Sequence, residues 1–116
     1  MSISYEGIGE WCATFGCGKV KEGDVVKVSA NGSADACGAG DSFCGVVRAI
    51  ARDGKACSVQ LGGIATVNYS GENALIPGYG KLSADAAGGV SVDASKGREY
   101  LILAADSTAK TVTIKL

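Results

Sequence analysis

Five cysteines, at positions 12, 17, 37, 44 and 57, are the most reactive side chains in the sequence. Four residues separate Cys12 from Cys17 and six separate Cys37 from Cys44. Neither spacing is the C-x2-C knuckle that holds zinc in a ribbon. The chain contains no histidine. A mixed Cys/His metal site, a Ser-His-Asp triad and a Cys-His nucleophile are therefore impossible within it. An odd number of cysteines cannot pair completely inside one chain. The opening residues, Met1-Ser2-Ile3-Ser4-Tyr5-Glu6, carry neither the basic nor the apolar stretch of a secretory signal. These features are expected of a chain in a reducing cytoplasm, with free thiols filling small core sites and no metal or cofactor bound.

A second chemically suggestive segment is Asp35-Ala36-Cys37-Gly38-Ala39-Gly40-Asp41-Ser42-Phe43. Glycines beside a carboxylate can offer backbone N–H groups to a phosphate while the acid takes a proton. Gly38-Ala39-Gly40-Asp41 resembles the motif of ribokinase-like sugar kinases, and the resemblance would make Asp41 the base and Gly38 and Gly40 the anion hole. The context argues otherwise. Such kinases are α/β proteins more than twice this length, and their motif opens a helix. Here Phe43-Cys44-Gly45-Val46-Val47 reads as a strand, so the segment is expected to be a hairpin loop. Asp85 and Asp93 lie in turn-rich stretches and read as solvated. No catalytic residue emerges, and the chain is expected not to be an enzyme.

The elements that carry these residues follow a period of two. In residues 25–30 the even positions Val26, Val28 and Ala30 are apolar, while Lys27 and Ser29 point away. In residues 55–61 Cys57, Val59 and Leu61 form the apolar face, and in residues 110–116 Val112, Ile114 and Leu116 do. Side chains alternate across a strand, so each run predicts one dry face and one wet face. Residues 43–51 and 99–105 are apolar on both faces and read as central strands. For residues 100–105 the period alone also permits a short helix. Asn31-Gly32, Asp53-Gly54, Gly62-Gly63, Gly88-Gly89 and Asp106-Ser107-Thr108 punctuate the runs, and Asp53-Gly54 is the strongest hairpin signal. The expectation is an all-β fold: a small glycine-rich β-sandwich or barrel of about eight short strands.

Composition agrees. One domain fits 116 residues, and 18 glycines are about twice the usual ~7% share. A net charge of −1 without a basic stripe argues against nucleic acid as a partner. The longest strongly apolar run, residues 100–105, is far short of the ~20 residues of a membrane helix, so no membrane partner is expected.

Residues 1–20 differ from the rest. Tyr5, Ile8, Trp11 and Phe15 are spread among Gly7, Gly9, Gly16 and Gly18. They read either as a strand or half-turn covering the core or as an N-terminal arm that docks on a neighbour, since aromatics favour interface cores. Residues 21–116 read as the single β-domain.

From residue 22 onward the order of features resembles the capsid decoration, or cement, proteins of tailed phages and prophages, and related small prophage proteins of unassigned function. The resemblance rests on Gly23-Asp24-Val25-Val26, Phe43-Cys44-Gly45-Val46-Val47, Cys57-Ser58-Val59-Gln60-Leu61-Gly62-Gly63 and Pro77-Gly78-Tyr79-Gly80. It continues through Leu82-Ser83-Ala84-Asp85, Gly88-Gly89-Val90, Tyr100-Leu101-Ile102-Leu103 and Val112-Thr113-Ile114-Lys115-Leu116. Five cysteines depart from that family's pattern, and Tyr79 stands where a tryptophan is expected. The resemblance implies a structural protein that binds the major capsid protein on the outer surface of an expanded head. It implies a homo-oligomer, commonly a trimer, in the host bacterial cytoplasm during assembly and then on the virion surface. Tyr5, Ile8, Trp11 and Phe15 are the candidate subunit and capsid contacts. The competing readings are another virion or tail-associated β module and a small-ligand-binding β-barrel.

Overall fold

The computed structural model describes residues 11–71 and 75–116. Among them the chain forms ten strands and no helix. β1 (Trp11–Cys17), β2 (Val25–Ala30), β3 (Ser33–Ala36), β4 (Gly45–Ile50) and β5 (Ala56–Gly62) make a closed barrel in the order β1-β3-β2-β4-β5. β6 (Ile64–Asn68), β7 (Gly78–Ala84), β8 (Val90–Val92), β9 (Arg98–Asp106) and β10 (Thr111–Lys115) make a second sheet in the order β6-β10-β9-β7-β8. A parallel bridge between Tyr69 and Val90 draws the two ends of that sheet together. The expected all-β architecture is present, with ten strands rather than about eight. The additional ones are β1 and β3.

Turn chemistry sets the strand ends. Between β4 and β5 Gly54 takes a φ of +72°, and Asp53 Oδ1 accepts the Lys55 N–H at 2.9 Å. The same device recurs in the second sheet. Asp106 Oδ1 accepts the Thr108 and Ala109 N–H groups between β9 and β10, and Asp85 Oδ1 accepts those of Ala87 and Gly89 between β7 and β8. Short aspartates mimic a turn of backbone and so replace a longer loop.

Two cores result. Val26, Ala34, Val47, Cys57 and Val59 fill the barrel, with Phe15, Cys17, Val20 and Ile50 packed on them. A larger core lies between the barrel and the second sheet. It joins Val25, Phe43 and Val46 to Tyr69, Leu82, Tyr100, Ile102, Val112 and Ile114, among others. Adjacent residues of one strand face opposite sides. Val25 and Val46 therefore enter the larger core while Val26 and Val47 enter the barrel. This is why residues 43–51 are apolar on both faces. β9 is the middle strand of its sheet and is extended, which resolves the choice between strand and helix.

Three details correct the simple alternation. Val28 is exposed rather than buried. β4 pairs with β2 only at Val25 and Val26, so the outer part of β2 has β3 alone beside it and stands clear of the barrel. Leu61, near the end of β5, is also exposed. Gln60, expected on a wet face, is fully buried because the second sheet follows directly from β5. Its Nε2 donates to the carbonyls of Gly62 and Ile64, both at 3.0 Å, and ties down the turn between β5 and β6. These bonds satisfy the amide nitrogen, while Gln60 Oε1 is buried with no hydrogen-bond partner among the described residues.

The first strand is part of the barrel. β1 pairs antiparallel with β5 from Trp11 to Gly16 and parallel with β3 at Gly16 and Cys17. The described part of the expected arm or cover segment, residues 11–20, thus includes a barrel strand. The remainder of that segment lies outside the described residues.

Candidate functional site

The Gly38–Asp41 stretch is a loop, and it leads into β4 rather than into a helix. Asp41 Oδ2 accepts the Gly38 N–H at 2.8 Å and the Lys27 ammonium at 2.7 Å. The Lys27 hydrogen bond, followed by that of Gly38, holds the Asp41 carboxyl below the usual carboxylate range. The same loop bonds to the second sheet through its backbone. The Gly40 N–H donates to the Ala84 carbonyl and the Ala84 N–H to the Asp41 carbonyl, each at 2.9 Å. Next to it the Tyr100 hydroxyl donates to the Phe43 carbonyl at 3.1 Å, and the two rings stack 4.8 Å apart. The loop is a strut between barrel and sheet.

The other acids are engaged similarly. Asp93 Oδ1 accepts the N–H groups of Ser95 and Lys96, and its Oδ2 accepts the Ser83 hydroxyl. The Lys96 N–H is the main reason its carboxyl titrates low. Asp85 also accepts the Ser70 hydroxyl. Among the described residues no three His, Cys, Asp or Glu side chains gather as a metal site. No helix there is long and apolar enough to cross a membrane. The cysteines are free: Cys12 is exposed, Cys57 is buried, and Cys17, Cys37 and Cys44 are half-buried. Burial pushes the Cys37 thiol up to about 11.

What the surface does carry is apolar. Trp11 is 73% exposed, Ile76 78%, Tyr79 72% and Val92 58%. Comparison of the chain with family models, with curated proteins and with solved structures found no match. The apolar surface must therefore be read from its own geometry.

Ile76, Tyr79 and Val92 border one groove of about 240 Å³, floored by Gly80, Leu82 and Ile102. Pro77 and Gly78, at the entry to β7, place Ile76 and Tyr79 on this rim. Leu82 and Val92 are paired across β7 and β8 and point the same way. Leu82 is covered while Val92, on the terminal strand, is not.

Of the four contacts expected from the sequence, Tyr5 and Ile8 lie outside the described residues. Trp11 is at the surface, its ring lying against Gly62 at the start of the β1–β5 ladder. Phe15 is half-buried and packs on the barrel core, because it faces inward opposite Cys57. Of the two described, Trp11 is the exposed one. Sequence reasoning did not single out Ile76 and Val92, and noted Tyr79 only as a replaced tryptophan. The one local signal was an apolar residue directly before Pro77, a position that proline forces into an extended conformation.

Proposed function

We propose that this chain is a non-enzymatic structural protein that decorates and stabilises a phage or prophage capsid by binding its outer surface. The observation that carries the reading is the set of large apolar side chains at the surface, Trp11, Ile76, Tyr79 and Val92. Ile76, Tyr79 and Val92 share one groove while Trp11 stands on the barrel strand β1; exposed apolar surface of this kind marks interaction sites, and aromatic residues are enriched at their centres. The acids that a catalytic reading would need are instead bonded into turns. A compact module with short loops suits a shell, where many modest contacts act together. The ligand-binding alternative fits less well. The open groove of about 240 Å³ is smaller than the roughly 300–1,000 Å³ of typical ligand pockets.

The test is cosedimentation with expanded capsids assembled from the major capsid protein of the same genome. The chain should pellet with the shells to a saturable ratio. Trp11→Ser combined with Tyr79→Ser should weaken binding at least tenfold while leaving the circular dichroism spectrum unchanged. Failure of the native chain to pellet overturns the proposal. Removing residues 1–10 tests Tyr5 and Ile8; a longer cut would delete part of β1 and open the barrel. Light scattering in reducing buffer addresses the alternative of a tail-associated module. A trimer fits decoration, whereas rings or filaments fit the tail.

A further inference from the structure

We propose that Asn31-Gly32, at the tip of the β2–β3 hairpin, is a site of spontaneous modification in the folded chain: the Gly32 backbone nitrogen closes on the Asn31 side chain, and the isoaspartate that results unfastens the β1–β3 seam of the barrel. The proposal is independent of the capsid reading.

The chemistry is two steps with water as the only co-reactant. The Gly32 nitrogen loses its proton and attacks Asn31 Cγ. A new N–C bond forms, the bond from Cγ to the side-chain nitrogen breaks, and that nitrogen takes up a proton and leaves as ammonia. The product is a succinimide ring. Water then opens the ring at either of its two carbonyls, leaving its hydroxyl on the carbon and a proton on the Gly32 nitrogen. Opening at Cγ gives aspartate. Opening at the former backbone carbonyl gives isoaspartate, whose main chain runs through Cβ and Cγ and is one atom longer. No electrons are exchanged with another molecule.

Ring closure needs an unpinned attacking nitrogen and room around it. Asn31 and Gly32 are both exposed and make up the whole turn between β2 and β3. Gly32 holds a φ of +70°, and nothing beyond its chain neighbours lies within 4 Å of where its Cβ would stand. Among the described residues no backbone carbonyl accepts the Gly32 N–H.

The comparable positions are pinned. Asp53-Gly54 forms the other barrel turn of this type, but the Gly54 N–H donates to the Ala51 carbonyl at 2.9 Å and the Asp53 carboxylate accepts the Lys55 N–H. Asn68 ends β6 and is exposed, but the next N–H, that of Tyr69, donates to the Lys110 carbonyl at 3.0 Å. A nitrogen held in this way reacts only through local opening. Asn73 lies outside the described residues.

The consequence follows from where Gly32 sits. β1 meets β3 at Gly16 and Cys17, and the Gly16 N–H donates to the Gly32 carbonyl at 2.8 Å. That carbonyl belongs to the residue directly after the lengthened link. β5 holds β1 from the other side, from Trp11 to Gly16. Isoaspartate therefore displaces the acceptor of the Gly16 N–H and opens the seam with β3, while β1 stays on β5.

The experiment incubates the native chain at pH 8, folded and, in parallel, unfolded in urea. Peptide mass with electron-transfer fragmentation locates the converted asparagine and separates aspartate from isoaspartate. Hydrogen-exchange NMR follows the Gly16 amide. Asn31 should convert in the folded chain within about tenfold of its rate in urea, because no hydrogen bond has to break first. Isoaspartate should be among the products, and the Gly16 amide of that form should exchange at least about tenfold faster than in the native chain. Asn31→Asp adds the charge without lengthening the chain and should keep Gly16 protected. An Asn31 that survives in the folded chain while converting in urea overturns the proposal. An isoaspartate form with Gly16 still protected overturns the opening of the seam.

Discussion

The two cores differ in what they can hold. Among the described residues the barrel interior contains only Val26, Ala34, Val47, Cys57 and Val59 as fully covered residues. The core between barrel and sheet holds Phe43, Tyr69, Tyr100, Leu82, Ile102 and Ile114. Five short strands enclose little space, so apart from Phe15, which packs on the barrel core, the aromatic bulk lies where barrel and sheet meet. Because β2 and β4 contribute neighbouring valines to both cores, neither core can be lost without exposing the other. The difference teaches that most of the apolar bulk lies in the core that barrel and sheet share.

Phe43→Ala breaks this arrangement most severely. Removing a fully buried ring at the junction should cost about 3–5 kcal/mol. Val59→Ala, confined to the barrel, removes two methyl groups and should cost roughly 2 kcal/mol. Urea unfolding measures both. Trp11, the only tryptophan, reports on the barrel, and the buried Tyr69 and Tyr100 give the near-ultraviolet dichroism of the sheet. The two probes should trace one transition in Phe43→Ala. Sheet melting ahead of an intact barrel would show that the two cores are independent.

Backbone approach gives a second, smaller test within each region. A Cβ on Gly45 would run into the Gln60 carbonyl oxygen and lie 2.8 Å from the Val59 side chain. One on Gly97 would lie 2.8 Å from the Leu82 nitrogen and 2.9 Å from the Lys81 carbonyl carbon. Gly45→Ala in the barrel and Gly97→Ala in the sheet should each cost about 1–3 kcal/mol, read from denaturation midpoints. Gly62→Ala is the contrast. Its new methyl meets the exposed Trp11 ring at 3.2 Å, which can move aside, so the loss should stay below about 0.5 kcal/mol.

The same contrast explains which parts of the molecule were legible in the sequence. Strands with a dry and a wet face announce themselves, as Val112 and Ile114 do in β10. Strands covered on both sides do so too, as Val46 and Val47 do in β4. β3 was hidden because only Ala34 of its four residues is buried, and alanine carries little strand preference. β1 was legible only as one of two alternatives, a strand or half-turn against an arm, because its inward positions include Phe15 and Cys17 but its neighbours are glycine and cysteine, which blur the period. The surface was harder still. Trp11 was found by its residue type alone. Val92 and Leu82 are similar residues at paired positions, and only the position of β8 at the sheet end leaves one of them exposed. Strand order is a tertiary property that no local pattern encodes.

The smallest effects compare the two aspartates that titrate low, one in each region. Asp41 owes its shift first to the Lys27 ammonium, and Asp93 first to the Lys96 backbone N–H. Each carboxyl is bound more tightly as the anion in the folded chain. Each therefore contributes stability that is present above the ordinary carboxylate range and is lost as pH falls through its lowered folded value. Carboxyl titration by NMR should place both midpoints below 3.8. Lys27→Met should then return Asp41 most of the way while leaving Asp93 unmoved. Raising salt to about 1 M should act in the same direction, because screening weakens an exposed ion pair more than a backbone hydrogen bond. Equal responses of the two carboxyls would mean that the loop bracing the barrel against the sheet is held by its backbone alone, with Lys27 a bystander.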